Sequence, residues 1–251
     1  MVRGERIYVE RIYVERIYVG DLFHLSLDLN SWRISDISEI AGLERLTDLA
    51  TLDLSGTEIT EVKGLEKLTN LLNLSLHANN IKKIEGLDKL TNLKFLWLSA
   101  NNIKKIEGLE KLTNLQYLNL NDNQIVEIAG LDTLSSLSEL DLARNEITKI
   151  SGLDNLINLG HLDLQENKIR EISGLGNLRK LSSLMLCYNQ ISELKGLEHL
   201  DKLRSVELGD NNIPVEVLEQ VEMKSPYSGP VGENAIDEKK AIEYCRKNAK
   251  L

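Results

Sequence analysis

Glycine recurs in this sequence at positions 42, 64, 86, 108, 130, 152, 174 and 196, a spacing of 22 without exception. Each is followed by leucine, from Leu43 to Leu197. Asparagine keeps the same period at 79, 101, 123, 145, 167, 189 and 211, with Thr57 in the slot one period earlier. Isoleucine follows two residues later, from Ile59 to Ile213. One insertion or deletion would break the phase, and none occurs between residues 42 and 213. A fixed period of this size means stacked copies of one supersecondary unit, each touching only its neighbours.

The fine structure of one period assigns a role to each part. In Leu93-Lys-Phe-Leu96-Trp-Leu98-Ser-Ala-Asn101-Asn-Ile103, leucines 96 and 98 alternate with Phe95, Trp97 and Ser99. That is the signature of a short strand with one buried face. The rest runs at a spacing of three through Ile81, Ile84, Leu87, Leu90, Leu93 and Leu96. An α-helix needs mixed spacings of three and four, so a strict three predicts 3-10 or extended turns and excludes a coiled coil. Glycine at 86 suits a turn that needs a permissive backbone. The asparagine falls where the chain leaves the strand, and its amide can both donate and accept. Stacked asparagines would satisfy backbone groups otherwise buried without partners.

This pattern, over roughly residues 25 to 213, resembles the leucine-rich repeat family. The string Ile-Lys-Lys-Ile-Glu-Gly-Leu-Asp-Lys-Leu-Thr-Asn-Leu at 81–93 looks like the 22-residue class found in the intracellular regulatory subunit of protein phosphatase-1. It is also similar to bacterial internalins, which tend to carry proline where this chain has Gly86. The resemblance implies an α/β solenoid: a right-handed curved coil with a parallel concave β-sheet and a mostly 3-10 or extended convex side. Residues 1–24 form an N-terminal segment or cap, 25–213 the solenoid, and 214–251 a C-terminal helical cap. One irregular repeat at 25–43 is followed by eight regular ones. A lone repeat cannot offset the entropy of ordering itself, so stacking is obligatory.

Both ends of such a stack expose apolar surface. After Pro214, the triplet Val215, Leu218 and Val221 reads as a short helix, Pro226 to Gly232 as a loop, and Asp237 as the cap of a last helix. Ala241, Ile242 and Cys245 share a face of that helix, with Cys245 as a small core residue. At the N-terminus Glu-Arg-Ile-Tyr-Val occurs three times, at 5–9, 10–14 and 15–19. A period of five suits neither a helix stripe nor a strand, but the residues favour strand. The segment could cover the first coil's edge or drive self-association, and covering is the preferred reading.

Parallel stacking turns residues one period apart into neighbours, so the outward strand positions form columns. One column reads Thr51, Asn73, Phe95, Tyr117, Glu139, His161, Ser183, Ser205. The next reads Asp53, Ser75, Trp97, Asn119, Asp141, Asp163, Met185, Glu207. A third contains Ser55, His77, Ser99, Asn121, Ala143, Gln165, Cys187 and Gly209. Phe95, Trp97 and Tyr117 then form an aromatic patch in a chain with only 4% aromatic residues. Glu139, Asp141, His161 and Asp163 form an acidic square bordered by Asp122 and Glu166. The square could hold a divalent metal, but a flat sheet excludes no water, and a surface complementing a basic partner is preferred. With Asn119 these seven residues are the candidate partner-binding site. The phosphatase-regulator resemblance implies the same by type, since such proteins use acidic and aromatic concave residues to hold the catalytic subunit. Asp53, Phe95, Trp97, Glu139, Asp141 and Asp163 match in kind and face.

A net charge of −9 argues against nucleic acid, which needs a cationic surface. Lys82, Lys83, Lys104, Lys105, Lys149 and Arg170 lie among glutamates and read as a solvated convex face. Arg and Glu interrupt Met1 to Gly20 every few residues, unlike a secretory leader, and no apolar run would span a bilayer. Cys187 and Cys245 form no disulfide framework or metal pair, and Asn73-Leu74-Ser75 is a glycosylation triplet only by chance. No phosphate loop, nucleophile elbow or zinc motif is present, and neither catalysis nor a cofactor is expected. The sequence therefore predicts a cytoplasmic, monomeric, non-catalytic scaffold for a protein partner with a basic and apolar surface. Two alternatives stand beside it: a regulatory subunit of a signalling enzyme such as a phosphatase or GTPase, and a structural element self-assembling through its N-terminal repeats.

Overall fold

The structure, a computed structural model, describes residues 7–8, 15–19, 22–221 and 237–248. Two strands open the chain, β1 (Ile7–Tyr8) and β2 (Glu15–Val19), followed by β3 (Leu22–Asp28) and β4 (Ile40–Ala41). Eight more come at the repeat period: β5 (Leu49–Asp53), β6 (Asn73–Ser75), β7 (Phe95–Trp97), β8 (Tyr117–Asn119), β9 (Glu139–Asp141), β10 (His161–Asp163), β11 (Ser183–Met185) and β12 (Ser205–Glu207). From β5 to β12 they pair in chain order, all parallel and in constant register, so that Phe95 faces Tyr117 and Asp141 faces Asp163. This is the expected parallel-sheet solenoid.

Alternation decides which way each strand faces. Leu96 and Leu98 are fully buried, whereas Phe95 and Trp97 are only partly covered. Past the strands the spacing of three becomes a chain of tight turns rather than a helix. Leu90 N–H donates to Leu87 O at 2.9 Å and Leu93 N–H to Leu90 O at 3.0 Å, the i to i+3 bonds of 3-10 geometry. Ile81, Ile84, Leu87, Leu90 and Leu93 thereby all reach one continuous core. Between these segments Gly86 takes φ +73°, and a Cβ there would lie 2.0 Å from the Val62 carbonyl oxygen of the turn before. The glycine is thus required twice over, by dihedral angle and by closeness of approach.

The ladder asparagines behave as their chemistry suggests. Asn123 Nδ2 donates to Leu98 O and Leu120 O, both at 3.0 Å, and its Oδ1 accepts from Ile103 N–H at 3.0 Å. Asn101, Asn145, Asn167 and Asn189 repeat the arrangement. The residue before each of them has a positive φ, from Ala78 (52°) to Tyr188 (57°), so the turn is made by residues other than glycine. A second ladder lies on the exposed side, where Asn70, Asn92 and Asn114 donate to the carbonyls of Thr47, Thr69 and Thr91.

At the N-terminal edge β2 runs antiparallel to β3, and β1 pairs in parallel with β4. The third copy of the pentapeptide and part of the first are strands with different partners, and the second lies outside the described residues. Pairing of β3 with β5 shifts register between Leu25 and Ser26, which makes this turn irregular. Asp36 opens its 3-10 segment with a capping box: its side chain accepts from Ser38 N–H, and Glu39 accepts from Asp36 N–H at 3.0 Å.

Near the other end come helix α1 (Val215–Gln220) and helix α2 (Glu238–Asn248). Asp237 caps α2 by accepting from Lys240 N–H at 3.0 Å. Ala241, Ile242 and Cys245 are buried, and Cys245 Sγ lies 3.5 Å from Leu194 O. The expected loop at Pro226 to Gly232 lies outside the described residues. Among those described, no helix is long and apolar enough to cross a membrane.

Two substitutions test the stacking. Asn123→Ala leaves Ile103 N–H without an acceptor and removes one donor from each of two buried carbonyls, so a loss of about 2–3 kcal/mol is expected in urea unfolding. Gly108→Ala, whose Cβ would meet Ile84 O at 2.4 Å, should cost about 2 kcal/mol or more in the same measurement.

Candidate functional site

All eight candidate residues fall on four consecutive strands, β7 to β10, with side chains on the face opposite the leucine core. Phe95 and Trp97 stand two residues apart on β7, their ring centroids 6.1 Å apart and nearly parallel. Tyr117, across on β8, lies 6.4 Å from Phe95 and 5.4 Å from Trp97. The three rings touch one another and remain partly open to solvent. Asn119 ties this patch to its acidic neighbour, donating to Tyr117 Oη and to Asp141 Oδ2, each at 3.1 Å.

The acidic square is built by register, Glu139 beside His161 and Asp141 beside Asp163. Glu139 is exposed and the other three are partly covered. Burial pushes the carboxyls of Asp141 and Asp163 above their ordinary range. The hydrogen bond from Ala143 N–H opposes that shift at Asp141, and the neighbouring Asp163 adds to it. Among the described residues, no group of three or more His, Cys, Asp or Glu is placed to hold a metal ion.

Two features of the face went unread in the sequence. The first is that its acids have structural work as well. Asp53, Asn119, Asp141 and Asp163 each accept the backbone N–H two residues on, at 2.9, 3.0, 3.0 and 3.0 Å, closing an Asx turn where the strand ends. Their recurrence at multiples of 22 is visible in the sequence, but spacing alone does not separate an Asx turn from an open surface group. The second is Arg144, whose Nε lies 2.9 Å from Glu166 Oε1, so a cation of this chain already sits at the border of the square.

The third column needs correction. Ser55, Ser99, Ala143 and Cys187 are buried whereas His77 is exposed. Yet Ser55 Oγ meets Ser75 Oγ, Ser99 Oγ meets His77 Nδ1 and Cys187 Sγ lies 3.8 Å from Glu207 Oε2, so these three are covered by neighbours on the outer face. Cys187 has its thiol pushed up to about 12 by burial, which leaves it inert. Asn73, the first residue of the chance glycosylation triplet, lies within β6 and donates to Thr51 Oγ1 at 2.9 Å.

A stack of short parallel strands joined by 3-10 turns and sewn by buried asparagines defines a leucine-rich repeat solenoid. The family described as leucine-rich repeats in two copies matches residues 47–89, 91–133 and 135–177, more than half of the chain. The chain belongs to the leucine-rich repeat family. No significant match is found among curated proteins. Among solved structures it is similar to an internalin of Listeria monocytogenes, at 28% identity and TM-score 0.65 over 81% of this chain and 66% of that one. An internalin C2 from the same organism matches at 32% identity and TM-score 0.54, covering 73% of this chain and 70% of that one. A leucine-rich repeat protein of Leptospira interrogans matches at 31% identity and TM-score 0.65 over 69% of this chain and 46% of that one. The chain thus spans just under two-thirds of the first internalin and under half of the Leptospira protein.

The raised Asp141 carboxyl carries a stability consequence. Its folded value lies above the ordinary 3.8, so the folded state keeps a proton that the unfolded chain has released. Folding is therefore weakened as pH rises through that window, and the ionised group opposes stability at neutral pH. Asp141→Asn, which still accepts from Ala143, should raise Tm by up to a few degrees at neutral pH. The gain should shrink as pH falls toward the ordinary carboxylate value, which scanning calorimetry at several pH values would check.

Proposed function

We propose that the chain is a non-catalytic docking module whose exposed sheet face, the concave wall of the coil, holds a protein partner. One observation carries this reading: three mutually packed aromatic rings stand off a sheet whose own core lies on the opposite side. Such rings need no exposed position to stabilise the fold, since the leucines already fill the interior. Partly exposed aromatic clusters rimmed by polar groups are what interaction hot spots look like.

Charge supports the same view. Glu139, Asp141 and Asp163 lie immediately beside the rings, and among the described residues Arg144 on that border and His161 within the square offset them in part. A partner presenting an apolar anchor next to Lys or Arg would match both halves of the surface. Two buried thiols without a disulfide support a cytoplasmic setting. A regulatory role toward a signalling enzyme would be one use of this platform.

The reading is tested with a double variant, Trp97→Ala with Asp141→Asn. Proteins retained by the unaltered chain but lost by the variant should be purified and titrated against both. A loss of affinity of about 100-fold or more is expected, with circular dichroism and melting behaviour preserved. Equal retention by a folded double variant would overturn the docking face.

A further inference from the structure

Beside the aromatic patch the sheet face drops. Strands β5 and β6 carry only Thr51, Asp53, Asn73 and Ser75 outward, whereas β7 carries Phe95 and Trp97. The step leaves a groove of about 460 Å³, walled on one side by Trp97 and floored by these four small polar residues. The hydrogen bonds already made there decide which valences remain for a ligand.

Ser55 has a single hydroxyl proton, and it goes to Asp53 Oδ1 at 2.6 Å. The 2.6 Å contact between Ser55 Oγ and Ser75 Oγ must then be donated by Ser75. Ser75 therefore turns its lone pairs, not its proton, toward the groove. Asn73 gives one amide N–H to Thr51 Oγ1 at 2.9 Å, which leaves its carbonyl oxygen, its second N–H and the Thr51 hydroxyl proton over. Asp53 Oδ1 also takes Ser55 N–H at 2.9 Å, while Oδ2 accepts nothing among the described residues. What remains is the second carboxylate oxygen of Asp53, the amide oxygen of Asn73, the Ser75 hydroxyl oxygen and the Trp97 indole, with one N–H of Asn73, the Thr51 hydroxyl proton and the second ring nitrogen of His77 beside them. Among the described residues no Lys or Arg lines the groove. The Asp53 carboxylate and the indole are its two strongest open groups.

Among partner groups, a flat cation with several donors meets both the carboxylate and the indole at once. Guanidinium has five N–H donors in a rigid plane, pairs with carboxylate, and stacks on aromatic rings. Ammonium has donors but no plane to lay on Trp97. A sugar hydroxyl brings no charge to meet the Asp53 carboxylate. We propose that this groove receives one arginine side chain of the protein partner, held by the Asp53 carboxylate and stacked on Trp97. The inference rests on the docking reading for the origin of that arginine. It also moves the anchoring cation away from the acidic square, which Arg144 already occupies in part.

The test reads the groove itself. Trp32 and Trp97 are the two tryptophans of the chain, and Trp32 is exposed, so Trp32→Phe makes indole fluorescence a report on Trp97 alone. The probe is N-acetyl-glycyl-arginyl-glycinamide, added at constant ionic strength to the Trp32→Phe chain. A saturable change with a millimolar Kd is expected, several-fold weaker for the lysine peptide and absent for the citrulline peptide and methyl glucoside. Asp53→Asn should weaken the arginine peptide about tenfold, while Glu110→Gln, at an exposed position away from the sheet face, leaves it unchanged. The Trp97 indole N–H resonance of the unaltered chain gives the same readout without any substitution.

Equal binding of the citrulline peptide, indifference to Asp53→Asn in a folded chain, or no saturation up to about 50 mM peptide would each overturn the arginine site. A partner that stays bound to the Trp97 and Asp141 double variant would instead overturn the docking reading, and the peptide titration would still report on the groove.

Discussion

At the end of every buried strand the backbone must turn while its polar groups are still cut off from water. An unmet N–H or carbonyl there would cost as much as a good core contact supplies. The asparagine ladder resolves this by making each turn depend on the next. The amide of Asn123 serves a carbonyl of its own turn and one of the turn before, and takes the N–H of Ile103 from that earlier turn. A single coil cut from the stack would keep its leucines but lose two of these three partners. Burial of the leucines and satisfaction of the backbone therefore require the same assembly, and neither is complete without neighbours.

Because the interior is settled by this device, the opposite face of each strand is free of folding duty, with one exception. The Asx turns commit one oxygen of Asp53, Asn119, Asp141 or Asp163 to the main chain and leave the rest of the group outward. A residue can then end its strand and still address a partner. The cost is carried electrostatically. Asp141 and Asp163 lie side by side in a partly dry setting that disfavours their charge, and a cationic ligand would relieve it. Stability given up at a surface in this way is typical of positions shaped for recognition.

Much of this was legible in the residues. The 22-residue phase gave strand positions, register and the contact of Phe95, Trp97 and Tyr117, because in a parallel stack sequence offset and spatial neighbourhood are the same thing. The ladder role of Asn79 to Asn211 followed from the amide's two-sided chemistry. What escaped was whatever depends on the third dimension. Cys187 and Ala143 stand in an outward column by alternation, but their neighbours leave them buried. Arg144 carried no periodic signal, since its slot holds Ala78, Ala100, Asp122 and Tyr188 in other turns. The groove at Asp53 is a difference in side-chain size between adjacent columns, which becomes a shape only when the columns stand next to each other. The exposed asparagines at 70, 92 and 114 were periodic too, and were passed over because solvated positions seldom need a partner.

Constant register has a further consequence for how such a face can change. A whole coil could be gained or lost without disturbing the pairing of the remainder, and each such event would move the aromatic rings and the carboxylates apart or together by one strand spacing, about 4.8 Å. Distance between binding groups is then a discrete variable, counted in coils, whereas their chemistry varies one side chain at a time. A lineage built on this scaffold can adjust reach and specificity separately.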